Sequence, residues 1–281
     1  EIEMTYYEMA IKSGIDMMPS RLYEIEGNRN FITKRFDRDG ERKLHTQTLA
    51  AISPETASYE GLIAVCRKLH LPETDCQEVF RRLVFNVLSN NTDDHTKNFS
   101  FVMDEAGLWR LSPAYDLTYI IDTGGYLPNT GHCMYVRSKL HHISYDDAIL
   151  FAKDNGIRRA DAIREVADSL RQFRDIAKRY EVQDRWICSI ESAINTHLVS
   201  WGLEDKDNSS ASFEIDGKSC TDVRIEQAYK GNFHLYASID GRDCKFIIGK
   251  NKPEYATIQE TELSNLSKSM LMDLVAKYLL R

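Results

Sequence analysis

The sequence predicts an α+β fold, with a body dominated by helices followed by a small α+β module. Apolar side chains recur at helical spacing over residues 59–69, 75–89 and about 144–201. After about residue 207 the pattern changes to strict alternation of apolar and polar residues, which is typical of half-buried strands. This change of period predicts a domain boundary near residue 207.

The N-terminal part predicts one helix followed by a β-hairpin. Residues 4–13 have apolar positions at helical spacing, and Gly14 suits the position just after a helix end. Residues 21–25 and 31–34 are short strand-like runs, and Gly27-Asn28 between them suits a hairpin turn.

A polar loop interrupts the helical body after residue 89. The helix predicted over 75–89 runs directly into residues 90–95, a helix-breaking stretch rich in Asn and Asp. Two short strands are predicted next, at 99–103 and 108–111. The loop is therefore expected to be held between a packed helix and a short hairpin.

The C-terminal module begins after a polar, serine-containing linker at residues 205–212. Apolar side chains then alternate with polar ones over residues 233–239, which predicts a strand. An amphipathic helix is predicted over residues 263–277.

Composition excludes several classes of protein. The 281 residues are 42% hydrophobic and 28% charged, as in an ordinary globular protein, and no apolar run approaches the roughly 18 residues of a membrane span. A net charge of -7 argues against a protein that grips nucleic acid with its whole surface. The six cysteines are dispersed without a Cys-x-x-Cys pair, which predicts reduced thiols and a cytoplasmic protein.

The residues that carry chemistry lie in the polar loop and after the short hairpin. Asp93 and Asn98 are five residues apart, the spacing of kinase catalytic loops, and Asp116 follows Asn98 by eighteen residues. Phosphoryl transfer needs a carboxylate for the attacking hydroxyl, oxygen ligands for magnesium and cations on the phosphates. Asp93 suits the first role, Asn98 and Asp116 the second, and Lys97 and His95 the third.

A solvated polar loop after a helix is the alternative, since Asn, Asp and Thr are favoured there without any function. The order of loop, hairpin and second aspartate favours the enzyme. We expect Asp94 to be a surface or capping residue. We expect His132-Cys133-Met134 to pack or lie at the surface rather than bind metal, because no second Cys/His pair has ligand spacing.

Three segments resemble the signature blocks of HipA-like kinases, the toxins of toxin–antitoxin modules linked to bacterial persistence. Residues 33–38 are Thr-Lys-Arg-Phe-Asp-Arg, residues 92–98 are Thr-Asp-Asp-His-Thr-Lys-Asn, and residues 111–117 are Leu-Ser-Pro-Ala-Tyr-Asp-Leu. The resemblance covers roughly residues 1–203.

This resemblance implies a protein kinase-like bilobal fold. We expect an incomplete N-lobe and hinge at 1–40, a helical C-lobe with the catalytic loop at 41–205, and an accessory α+β module of unknown role at 208–281.

The resemblance also implies roles for single residues. Asp93 matches the catalytic aspartate, and Asn98 and Asp116 match the magnesium ligands. Residues 34–36 match the hinge that holds adenine, with Asp37 on the ribose. The positions matched to ATP binding are Lys34, Arg35, Phe36, Asp37, Gln47, His95, Lys97, Asn98, Tyr115 and Asp116. For Phe36 the alternative is core packing, and for Asp37 it is a surface ion pair with Arg35 or Arg38.

The sequence departs from the family in one respect. Members have a glycine-rich, serine-containing loop and a phosphate-anchoring lysine before the first helix, whereas no glycine-rich run precedes residue 14 here and Lys12 sits at a helix end. We expect a trimmed chain, with a separate subunit or a degenerate kinase as alternatives. The chain alone should then bind ATP and magnesium weakly.

The implied function is an ATP- and magnesium-dependent serine/threonine protein kinase that phosphorylates a translation-related protein such as an aminoacyl-tRNA synthetase. The implied partner is a DNA-binding antitoxin. The chain would then contact DNA only through that partner, and no membrane is involved. Two alternatives stay open: a small-molecule phosphotransferase of the aminoglycoside-kinase kind, and a non-catalytic pseudokinase that binds an antitoxin.

Overall fold

The structure is a computed structural model that describes residues 1–120, 131–159 and 161–203, together with the backbone of five strands between residues 213 and 258. The chain divides into two compact units, residues 1–203 and 204–281. Within the described residues, no helix combines the length and the apolar character that a membrane crossing requires.

The first unit opens with the predicted helix and hairpin. Helix α1 spans Ile2–Lys12, and the antiparallel strands β1 and β2 span Ser20–Ile25 and Asn28–Thr33. The inner face of the hairpin lies on α1, where the rings of Tyr7 and Phe31 are 6.5 Å apart.

The outer face of this hairpin carries three exposed apolar side chains. Tyr23, Ile25 and Ile32 are 49%, 52% and 38% exposed. A two-stranded sheet is marginally stable by itself, so the hairpin depends on the packing of its inner face on α1 and on Arg29, which donates to the carbonyl of Tyr180 and pairs with Glu181.

The helical body follows, with short strands between its helices. Its first elements are β3 (Arg38–Asp39), β4 (Arg42–Lys43), β5 (His45–Thr48), α2 (Leu49–Ile52), α3 (Tyr59–Lys68) and α4 (Glu73–Leu88). The later elements are β6 (Ser100–Met103), β7 (Trp109–Leu111), α5 (Tyr145–Asp154), α6 (Ala162–Leu170), α7 (Phe173–Arg179) and α8 (Asp184–Ser200). The predicted helices and longer strands of this unit are confirmed, whereas β3, β4, β5 and α2 were not predicted because elements of two to four residues carry too little periodicity.

Helix α4 is the centre of this unit. It packs against α3, α6 and α8, and from Val79 to Leu88 it is buried around its whole circumference. The ring of Phe80 stacks on that of Phe151 in α5, with centroids 6.2 Å apart. A helix enclosed on all sides is rigidly placed, so the point where α4 ends fixes the start of the polar loop.

Strands β5, β6 and β7 form an antiparallel three-stranded sheet in that order. Gln47 lies opposite Phe101, and Phe101 lies opposite Leu111. The start of β6 therefore lies at the same sheet edge as the ends of β5 and β7. This register brings the loop before β6 and the segment after β7 to one edge.

The second unit contains a five-stranded antiparallel sheet of order β12-β11-β10-β9-β8. Its strands are β8 (Phe213–Ile215), β9 (Lys218–Gln227), β10 (Phe233–Ile239), β11 (Arg242–Gly249) and β12 (Lys252–Ile258). Strand β10 confirms the strand predicted from the alternating pattern. The helix predicted over residues 263–277 lies outside the described residues.

His197 on α8 is a half-buried histidine near the end of α4. Its Nε2 lies 3.1 Å from Oδ1 of Asn90, the residue that turns the chain out of α4 with a φ of 57°. Burial, with His132 and His142 adding to it, lowers the pKa of His197 to about 4. The unfolded chain, with an ordinary histidine pKa, binds the proton more tightly, so acid favours unfolding through this residue.

We predict that replacing His197 with Asn flattens the pH dependence of stability. Stability carried by His197 is complete above pH 6.5 and falls as the pH drops towards 4, by about 2 kcal/mol between pH 7 and pH 5. Urea unfolding followed by tryptophan fluorescence measures it, because Trp109, Trp186 and Trp201 are the three tryptophans of the chain and all lie in the first unit. The exposed His70, changed to Asn, is the control, and an unchanged slope in the His197 variant would contradict the assignment.

Candidate active site

The polar loop that follows α4 holds the predicted catalytic residue at the surface. The side chain of Asp93 is 45% exposed. Asn98 donates from its side-chain nitrogen to the backbone carbonyl of Asp93, at 2.9 Å. The two residues of the Asp-x-x-x-x-Asn pattern therefore contact each other, and the side-chain oxygen of Asn98 is the atom suited to a hard cation.

A single 3-10 turn over Thr96–Asn98 shapes the rest of the loop. The backbone N–H of Asn98 donates to the carbonyl of His95 at 2.9 Å. Nε2 of His95 lies 3.8 Å from Oδ1 of Asp93, which is beyond hydrogen-bond distance, and the side chain of Lys97 is exposed. The His95 side chain therefore lies close to Asp93, and the Lys97 side chain is accessible from solvent.

Tyr115 joins the loop to the segment after β7. Its hydroxyl donates to the backbone carbonyl of Lys97 at 2.7 Å, and the hydroxyl of Ser100 lies 2.6 Å away as the matching donor. Burial raises the pKa of the Tyr115 phenol, which keeps the donating proton in place. One side chain thus fixes the position of the Lys97-Asn98 backbone relative to Asp116.

Asp116 is exposed and has a φ of 57°, in the left-handed region. The segment before it is held from two sides: Arg82 donates to the carbonyl of Ser112 at 2.8 Å, and the N–H of Ala114 donates to the carbonyl of Asp16 at 2.7 Å. Aspartate tolerates this conformation better than most residues, and such backbone conformations concentrate at functional sites.

The predicted hinge lies against Tyr115. The rings of Phe36 and Tyr115 are stacked, with centroids 5.5 Å apart and an interplanar angle of 24°. The backbone N–H of Lys34 donates to the carbonyl of Pro19 at 3.0 Å, so this donor is already used within the protein. The side chains of Lys34 and Arg35 are exposed.

Asp37 forms the ion pairs that were the alternative to a ribose contact. Arg35 donates to both of its carboxylate oxygens, at 2.8 and 2.7 Å, and Arg38 donates to Oδ2 at 2.6 Å. The hydrogen bonds from Arg35 contribute most to lowering the pKa of Asp37 to about 2. Both oxygens therefore already have cationic partners in this structure.

Gln47 lies in the middle of β5, opposite Phe101 and half-buried. It shares the sheet edge to which the catalytic loop and the segment after β7 both come. Phe36, Tyr115, Lys97, Asn98 and Asp93 are joined by direct contacts, with Asp116 adjacent to Tyr115 in the chain.

The prediction that Asp94 is a surface or capping residue is wrong. Asp94 is 1% exposed, because the chain after Asp93 turns inward and its carboxylate accepts hydrogen bonds from Tyr59, His132 and the backbone of Cys133. Sequence reasoning missed it because two adjacent aspartates in a polar loop look alike, and nothing local indicates partners that are more than thirty residues away in both directions.

The donor set at this edge fits magnesium. Among the described residues, no group of three or more His, Cys, Asp or Glu side chains could enclose a metal ion. Magnesium is typically held by one or two protein oxygens together with substrate phosphates and water, rather than by a cage of protein ligands. One carboxylate and one amide oxygen, from Asp116 and Asn98, correspond to that pattern.

Comparisons with known proteins define the class. The structure matches a solved complex described as the "Shewanella oneidensis MR-1 Toxin Antitoxin System HipA, HipB and its operator DNA complex", with a TM-score of 0.58 and 18% identity, over 71% of this chain and 55% of that one. At that identity the match shows the fold alone. The matched part of this chain therefore has the mixed α+β fold of HipA.

The family model described as "HipA-like C-terminal domain" matches residues 1–182. The chain therefore belongs to the HipA-like family. Two similar proteins of Sinorhizobium fredii are named "Putative kinase Y4dM" and "Putative kinase Y4mE", 26% and 25% identical over 189 and 173 residues. A Haemophilus influenzae protein named "Putative kinase" is 29% identical over 129 residues.

The matched segments cover 64%, 56% and 38% of this chain, and 45%, 41% and 37% of the three relatives. The chain thus spans less than half the length of the curated relatives it matches. All three names describe those relatives as kinases, without stating a substrate.

We predict that the contribution of the Asp116 backbone conformation to stability can be measured separately from that of the Asp116 charge. Asp116→Asn should leave the free energy of unfolding nearly unchanged, because Asn also tolerates the left-handed region, whereas Asp116→Val should lower it by about 1–2 kcal/mol. Urea unfolding by tryptophan fluorescence measures both. Equal stability of the two variants would mean that the left-handed conformation is not imposed by the fold.

Proposed function

We propose that this chain is the catalytic part of an ATP- and magnesium-dependent serine/threonine protein kinase. The observation that carries the proposal is the connected arrangement of Asp93, Asn98 and Tyr115, with Asp116 beside them, at one edge of a small sheet. Phosphoryl transfer depends mainly on positioning and electrostatic stabilisation. This arrangement would hold the groups that position the reactants and stabilise charge in fixed places.

In this proposal Asp93 receives or orients the proton of the attacking hydroxyl. Its exposed carboxylate can be reached by a side chain of another protein. Bound magnesium would rest on the oxygens of Asn98 and Asp116 and would neutralise charge on the phosphates. His95, which lies near Asp93, and Lys97, in the same loop, would contact the terminal phosphate and the charge that develops on it.

The nucleotide base would lie along the hinge, residues 34–36. Because the Phe36 and Tyr115 rings already stack on each other, adenine would contact the edge or an outer face of this pair rather than lie between the rings. The backbone groups of Arg35 and Phe36, together with the carbonyl of Lys34, are the hinge atoms we assign to adenine. A ribose hydroxyl would donate to Asp37 in addition to the hydrogen bonds from Arg35 and Arg38. Gln47 would line the nucleotide pocket from β5.

The proposal extends to partners. The solved HipA structure is titled as a complex with HipB and operator DNA. We propose a DNA-binding antitoxin as the partner here, so that this chain of net charge -7 meets DNA only through it. The substrate would be a translation-related protein, such as an aminoacyl-tRNA synthetase. The four described cysteines (Cys66, Cys76, Cys133 and Cys188) are free thiols, in keeping with a cytoplasmic setting.

We predict that Asp93→Ala lowers turnover by a factor of about 10²–10⁴ while ATP affinity stays nearly constant, because the residue acts mainly in the transition state. The assay uses a form of the protein that includes a phosphate-covering segment. Transfer of labelled phosphate to protein is measured beside calorimetric ATP binding. Asp146→Ala, at an exposed aspartate in the first turn of α5, is the control.

Parent-like turnover of the Asp93 variant would refute the assignment. Phosphate transfer to a small molecule without labelled protein would favour a small-molecule phosphotransferase. Antitoxin binding without any transfer would favour a pseudokinase.

We further predict that the 281-residue chain alone binds ATP–magnesium weakly and turns over slowly. A glycine-rich loop and an anchoring lysine hold the β- and γ-phosphates in related kinases, and no glycine-rich run precedes residue 14 here. Calorimetry and a phosphorylation assay, with and without such a segment added in cis or in trans, measure the difference. Tight binding with full turnover by the chain alone would contradict the prediction.

A further inference from the structure

A buried carboxylate lies next to the candidate catalytic aspartate. Oδ2 of Asp94 accepts from the hydroxyl of Tyr59 at 2.8 Å and lies 3.0 Å from Nδ1 of His132, while Oδ1 accepts from the N–H of Cys133 at 2.7 Å. Asp94 is 1% exposed and His132 is 7% exposed. A buried charge is tolerated when its hydrogen-bonding capacity is met, and three donors converge here on two oxygens.

A second layer of buried polar groups supports these contacts. The Tyr59 hydroxyl accepts from the side-chain nitrogen of Asn86 at 2.9 Å, and Oδ1 of Asn86 accepts from Asn91 at 3.0 Å. Burial, with the nearby charge of Asp94 adding to it, raises the pKa of Tyr59, so the phenol keeps the proton that it donates to Asp94. The network therefore connects Tyr59 of α3 and Asn86 of α4 to two residues of the polar loop, Asn91 and Asp94.

The network also determines what lies beside Asp93. The N–H of Cys133 is held by Asp94, and the sulfur of the same residue lies 4.0 Å from Oδ1 of Asp93. The backbone carbonyl of Tyr135 accepts from the N–H of Tyr59 at 3.0 Å. One buried carboxylate thus joins three parts of the chain: the loop, the start of α3 and the segment from His132 to Tyr135.

We infer that Asp94 is a positioning residue for Asp93, and that Tyr59 and His132 act through it. This inference rests on the proposed function and deepens it. Asp94 is covalently linked to Asp93, so anchoring its side chain on both oxygens fixes the orientation of the peptide that carries the Asp93 carboxylate. In phosphoryl transfer a small displacement of the group that receives the hydroxyl proton lowers the rate without changing how the nucleotide is held.

The chemistry of the site requires a carboxylate rather than an amide. Tyr59 and the Cys133 N–H donate to different oxygens of Asp94. An asparagine has only one side-chain oxygen, so its amide nitrogen must face a donor on one side or the other. Asp94→Asn, although nearly equal in size, is therefore a specific disruption of the anchor.

The test is a double-mutant cycle in the form of the protein that transfers phosphate. We expect Asp94→Asn to lower kcat about 10–100-fold with KM for ATP nearly unchanged, since the hinge contacts are left intact. In the Asp93→Asn background we expect Asp94→Asn to cause no further loss, because its effect runs through Asp93. An equal loss in both backgrounds, or a folded Asp94→Asn protein with parent kcat, would overturn the inference.

Two His132 variants keep the test decisive if Asp94→Asn does not fold. His132→Asn retains a side-chain nitrogen near the position of Nδ1, and His132→Leu removes it. We expect His132→Leu to lower kcat about tenfold and His132→Asn to recover most of that loss. Equal, parent-like kcat in both folded variants would overturn the inference. If Asp93→Asn itself keeps the parent rate, the proposed function is wrong. The rate of this single variant shows that without any result for Asp94, so the two failures can be distinguished.

Discussion

Helix α4 is buried around its whole circumference from Val79 to Leu88, so its end determines where the chain can leave the core. Asn90 takes a left-handed conformation there, and the backbone N–H of Asn91 returns to the carbonyl of Asn86. The loop therefore starts from a rigid base. Two adjacent aspartates then diverge: Asp93 faces solvent, and Asp94 faces the interior and its donors. The exposed carboxylate is available for chemistry because its neighbour is anchored.

Tyr115 is the second point on which the site depends. Its ring lies against Phe36 and its hydroxyl against the backbone of Lys97 and the side chain of Ser100. It therefore couples the hinge, the catalytic loop and the segment ending at Asp116 without itself being charged. The antiparallel register of β5, β6 and β7 makes this coupling possible, because it brings the three segments to one edge before any side chain is placed.

Much of the fold and part of the site could be predicted from the sequence. Long elements such as α4 and α8 were predictable because their periodicity extends over several turns, and the spacing of Asp93, Asn98 and Asp116 predicts the phosphoryl-transfer chemistry that we propose. Asp94 was mispredicted, because burial there depends on Tyr59 and His132, which no local pattern connects to it. Asp37 shows the other limit: its sequence neighbours favour an ion pair, the family resemblance implies a ribose contact, and in the structure Arg35 donates to both of its oxygens.

The left-handed backbone at Asp116 has a consequence for the entropy of cation binding. Hydrogen bonds to Arg82, to Asp16 and from the Tyr115 hydroxyl hold the chain on the N-terminal side of this residue. Its Cα–Cβ direction is therefore set by the fold before any ligand binds. A ligand residue on a mobile loop would lose backbone freedom of about 1–2 kcal/mol on binding. Asp116 has little of that freedom left to lose, so a cation that meets it needs to order only one short side chain.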